Sequence, residues 1–124
     1  MKTAELKYRA LDWAVAKAKG KTVFISKQGK LMAANYGDFN PRKGAPWWCP
    51  STNWAQGGLI IERERLSLYD IGGDEWGCDD NLTPRSTGLT PLVAAMRCYV
   101  ASKLGDEVDI PTELTDFTGL TKEK

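Results

Sequence analysis

Apolar residues recur at helical spacing near both ends of the chain, and between those stretches the pattern changes. Leu6, Ala10, Trp13 and Ala14 fall on one side of a helix, with Leu11, Val15 and Ala18 beside them. Such a stripe must pack against something. Thr3 is the expected N-cap, Glu5 suits the first turn, and Gly20 follows Lys17 and Lys19 as a stop. The second helix has sharper limits. Thr90 caps it, Pro91 takes its first position, and Gly105 lies beyond its last turn. Between them Leu92, Val93, Ala95, Met96, Tyr99, Val100 and Leu104 form a broad apolar face, with Arg97 and Lys103 outside it.

The middle reads as strands. Residues 22–26 are rich in β-branched and aromatic side chains, Gln28 and Gly29 supply a turn, and residues 31–34 return. A second hairpin is expected from residues 59–63 and 66–69. Its turn near Glu64 and Arg65 lacks the glycine or asparagine of tight hairpins, so a bulge or longer connection fits. Residues 75–78 add a short edge strand. The expected fold is α+β: a small antiparallel sheet of four to five strands packed against an N-terminal and a C-terminal helix. Residues 1–117 are read as one domain and residues 118–124 as a polar tail that frays.

Charge narrows the partners. Seventeen basic and 16 acidic residues leave a net charge of +1, too little for a field that draws in a nucleic-acid polymer. No apolar run is long enough to span a membrane, and the charged N-terminus lacks a signal-peptide core, so the cytoplasm is the expected compartment. Cys49, Cys78 and Cys98 are odd in number and widely spaced, which suits neither a disulfide framework nor a zinc site. Cys98 reads as a small core residue. No cofactor is expected.

Residues 35–58 are the informative stretch. A long irregular segment in a small domain is uncommon and is usually functional or disordered, and this one is too aromatic for disorder. Trp47, Trp48 and Trp54 offer flat faces for a nucleobase, with Tyr36 and Phe39 nearby. Ser51, Thr52, Asn53 and Gln56 offer hydrogen bonds to ribose or phosphate, and Gly57 and Gly58 allow close backbone approach. Arg42, Arg63 and Arg85 are candidate phosphate contacts. The competing reading is that the tryptophans seal one end of the core while the polar residues form turns.

Catalytic motifs are missing. The chain has no histidine, which removes the commonest general base and the Ser-His and Cys-His pairs. It also has no phosphate-binding G-x-x-x-x-G-K-[ST] or G-x-G-x-x-G and no G-x-S-x-G. Carboxylate chemistry stays open through Glu62, Glu64, Asp70, Asp74 or Glu75. In a strand, however, Glu62 and Glu64 alternating with Arg63 and Arg65 read better as a solvated surface. Asp74, Glu75, Asp79 and Asp80 lack calcium-loop spacing and read as a surface turn. Binding without transformation is the expected mode.

Three blocks together resemble the NinX-like family of tailed-phage accessory proteins. They are T-A-E-L at residues 3–6 continuing to A-L-D-W-A-V-A at 10–16, P-S-T-N-W-A-Q-G-G-L-I-I-E-R-E at 50–64, and T-P-L-V-A-A-M-R-C-Y-V-A-S-K-L-G-D-E-V at 90–108. The chain departs from the family pattern at Tyr8 and Arg65, where glycine is common, and across residues 39–48.

The resemblance implies phage cargo expressed in the host bacterial cytoplasm, with no enzymatic activity attached. Small phage proteins of this kind often act against bacterial immunity. The expectation is a homo-oligomeric protein that sequesters a nucleotide-derived immune signal, such as a cyclic nucleotide or an ADP-ribose derivative, without cleaving it. In that expectation a tryptophan stacks on the base and Arg63 neutralises charge. Direct inhibition of a host defence protein, or a small carboxylate-dependent nucleotide hydrolase, are the alternatives.

Overall fold

A computed structural model describes residues 1–27, 29–33, 47–80 and 84–114. Gln28, Ala34, the first half of the irregular segment (with Tyr36, Phe39 and Arg42), residues 81–83 and residues 115–124 lie outside the described residues.

The architecture is α+β, with five antiparallel strands and three α-helices in these residues. The order is α1 (Tyr8–Lys19), β1 (Val23–Ile25), β2 (Leu31–Ala33), α2 (Trp54–Glu64), β3 (Ser67–Gly72), β4 (Glu75–Asp79), β5 (Ser86–Gly88) and α3 (Pro91–Leu104). The strands divide into two sheets where one was expected: a β1–β2 hairpin and a three-stranded sheet ordered β3-β4-β5.

Helix α3 lies at the centre. Seven of its residues are buried, from Leu92 to Val100, and it packs on all three strands of the larger sheet as well as on α1 and α2. Its start follows the expected chemistry: the Thr90 hydroxyl accepts the Val93 N–H at 3.1 Å, and Pro91 comes first. Half-buried Arg97 leaves the helix to donate to the main-chain oxygens of Leu6 (2.9 Å) and Thr87 (2.8 Å). It thereby ties α3 to the segment before α1 and to β5. Buried Cys98 and Cys78 bring α3 and β4 together, and the hydrogen bond with Cys98, together with burial, pushes the Cys78 thiol up.

Helix α1 begins later than expected. Thr3 does not cap it but opens a short 3-10 turn, Thr3–Glu5, and its buried hydroxyl donates to the Gly105 oxygen at 2.6 Å. Gly20 does end α1, in the left-handed conformation at φ 77°. Six residues of α1 are buried, including Asp12, because α3 covers the helix on one side and Trp48 and the 50–51 stretch reach it elsewhere.

The main correction concerns residues 59–63, which are helical. Asn53 caps α2 by accepting the Ala55 N–H at 2.8 Å, and Arg65 closes it in the left-handed conformation. The β-branched run Ile60-Ile61 misleads a propensity reading. Its penalty in a helix is at most about 0.7 kcal/mol per residue, whereas burying one such side chain gains about 1.5–3 kcal/mol. Ile60 is 2% exposed. Burial wins. Glu62 and Glu64 therefore share no strand face.

The strand at 75–78 is also central rather than an edge, because β5 pairs with its far side through Trp76–Gly88, Gly77–Thr87 and Cys78–Ser86. The β3–β4 turn uses Gly73 and Asp74, both at positive φ, with a register shift between Asp70 and Gly72.

Candidate functional site

A recess of about 710 Å³ opens between the start of α1, the β1–β2 turn and the segment from Trp47 to Trp54. That volume is within the range of about 300–1,000 Å³ usual for small-molecule sites. Its walls come from three stretches far apart in sequence.

The irregular segment is fixed from within. Gln56, in the first turn of α2, accepts the Cys49 N–H at 2.7 Å and donates to the Trp47 oxygen. The N–H groups of Thr52 and Asn53 both reach the Cys49 oxygen. Gly57 lets the helix press on this turn, because a Cβ there would collide with the Pro50 carbonyl and come within 2.6 Å of Leu92 Cδ2.

Two contacts fasten the segment to α1. The Trp48 indole N–H donates to the Asp12 main-chain oxygen at 2.8 Å, and the Ser51 N–H donates to Asp12 Oδ1 at 2.9 Å. Burial pushes the Asp12 carboxyl from 3.8 up to about 7, against the downward pull of its hydrogen bonds from Ser51.

The three tryptophans have different roles. Trp48 is 3% exposed and belongs to the core, with Lys21 Nζ 5.4 Å from its ring centre. The core-sealing reading is right for this residue. Trp47 and Trp54 are each 56% exposed on the recess, and Tyr8 adds a third exposed ring at 43%. Lys30 Nζ stands 4.6 Å from the Trp47 ring centre.

Positive charge arrives from residues outside the tryptophan segment. Arg9 Nη1 donates to the Gly29 oxygen at 2.8 Å, while its buried Nε has no hydrogen-bond partner among the described residues. With Lys30 it places two cations on a wall that also holds Asp12, whose carboxyl burial raises to about 7. The recess therefore suits a ligand joining a flat ring to an anionic group.

Of the expected site residues, Trp47, Trp48, Ser51, Thr52, Asn53 and Trp54 come together on this recess, and Gln56 braces it from behind. Arg63 does not join them. It lies in the last turn of α2, nine residues or about 14 Å along the axis from Trp54, 3.9 Å from Glu64 Oε2. Arg85 is elsewhere too, over Gly77 beside Tyr69 on the larger sheet. Arg9, Lys30, Tyr8 and Asp12 were missed. The available signal was Arg9 and Asp12 three residues apart, two charges within an otherwise apolar helical stripe.

Among the described residues, no helix is long and apolar enough to cross a membrane. Comparison with curated proteins finds no match. A family model, described as Bacteriophage P22, NinX, matches residues 2–103, which include every residue lining the recess. The chain thus belongs to the phage P22 NinX family.

Proposed function

We propose that this phage protein binds and sequesters, without cleaving it, a nucleotide-derived bacterial immune signal in the host cytoplasm. The observation that carries this reading is the meeting of exposed Trp47 and Trp54 with Arg9 and Lys30 on one recess. A nucleobase stacks on an indole, for which stacking contributes about 1–3 kcal/mol per base. Arg9 and Lys30 take the phosphate, the role first given to Arg63 and Arg85. Ser51, Thr52 and Asn53 face the sugar. A homo-oligomer suits the reading, because a second copy closing over an open recess removes more of the ligand from water.

The test is to purify the protein from bacteria in which nucleotide-signalling immunity has been triggered, release any ligand by heat, and identify it by mass spectrometry. An intact nucleotide, lost from Trp54→Ala and Arg9→Met proteins, is the expected result. A cleaved nucleotide would instead favour the hydrolase alternative. Absence of any ligand would favour direct inhibition of a host protein, for which exposed Leu59 (65%) and Leu89 (73%) provide apolar contact.

A further inference from the structure

A second recess of about 400 Å³ adjoins the first, between Trp54 and the start of α3. The two share Tyr8, Ser51, Thr52 and Trp54, so two of the three exposed rings, Tyr8 and Trp54, line both spaces. Their chemistry differs. The larger holds Arg9, Asp12 and Lys30, whereas the smaller is walled beyond the shared residues mainly by Pro91, Leu92 and Val93.

We infer that the site takes a dinucleotide-type ligand, with two flat bases joined through phosphate: one base and the phosphate in the larger recess, the second base in the smaller. This rests on the nucleotide reading above. The four lining residues common to the two spaces argue for one ligand spanning both. The smaller recess has Lys7 at its rim but no cation on its α3 wall, so the ring-bearing end and not the phosphate belongs there. Exposed Thr52, which lines both recesses, offers its hydroxyl to the sugar-phosphate link. A mononucleotide fills only one half of this arrangement.

Calorimetric titration of nucleoside monophosphates and of linear and cyclic dinucleotides of the same bases tests this. Adding one stacked base at about 1–3 kcal/mol predicts a dinucleotide advantage on the order of tenfold to a hundredfold. Val93→Phe and Pro91→Phe each crowd the smaller recess from the first turn of α3. Pro91→Phe, at the half-buried first position of α3, serves if Val93→Phe disturbs folding. Either should abolish the dinucleotide advantage while leaving monophosphate binding unchanged. Equal affinity for the two ligand sizes, or an equal loss of both in the crowded variants, overturns the two-base inference and leaves the nucleotide reading intact. Failure of every nucleotide to bind overturns both.

Discussion

The Ser51 main-chain N–H meets Oδ1 of Asp12 at 2.9 Å, so a buried carboxyl on α1 holds the turn that carries the recess. That carboxyl is 5% exposed, and burial dominates its titration.

The first prediction follows from its proton. A carboxyl whose pKa rises from 3.8 to about 7 on folding favours the native state while protonated. Its contribution is whole below pH 3.8, falls as pH rises through that window, and is gone above about 7. At about 1.4 kcal/mol per unit this amounts to at most about 4 kcal/mol. Asp12→Asn keeps an acceptor for Ser51 and cannot ionise. Urea denaturation at several pH values should show the wild type weakening from pH 4 to 8 and the variant holding its stability.

Trp48 and its neighbours should separate by mutation. Trp48→Phe removes the indole hydrogen bond to the Asp12 carbonyl and leaves a gap in the core, which together cost about 1–3 kcal/mol. Trp47→Ala and Trp54→Ala, at half-exposed positions, should cost less than about 1 kcal/mol. Thermal unfolding of the three variants measures the difference.

Gly57→Ala should destabilise by about 1–3 kcal/mol, because its methyl has no space between the Pro50 carbonyl and Leu92. Chemical denaturation measures the loss. Gly58→Ala is the control: its Cβ would meet only Trp54 Cε3, at an ordinary 3.9 Å.

Tyr8 and Arg65, at which the resemblance implies glycine, both adopt the left-handed conformation, at φ 57° and 55°. Left-handed backbone costs a residue with a Cβ about 1–2 kcal/mol, part of which glycine returns as unfolded-state entropy. Arg65→Gly, exposed and remote from the recess, should therefore raise stability by about 0.5–1 kcal/mol in equilibrium unfolding.

What was legible in the sequence was local. Thr90, Pro91 and Gly105 bracket α3 with capping chemistry that acts within one turn, and Gly20 ends α1 for the same reason. Helix α2 was misread because its helical state rests on burial of Ile60 and on the approach of Pro50 and Leu92 to Gly57. The short strand β5, with Ser86, Thr87 and Gly88, has no apolar pattern to announce it. The site was half visible. Its aromatic and hydroxyl side is continuous in sequence, while its cations come from Arg9 and Lys30, which only the fold brings alongside.

That assembly from distant stretches joins occupancy to folding. An unfolded chain has no such recess, so any guest held there shifts the unfolding equilibrium by mass action. At a free concentration one hundred times its Kd, the gain is about 2.7 kcal/mol. The melting temperature itself thus becomes a ligand detector, able to screen compounds that carry no chromophore and undergo no reaction.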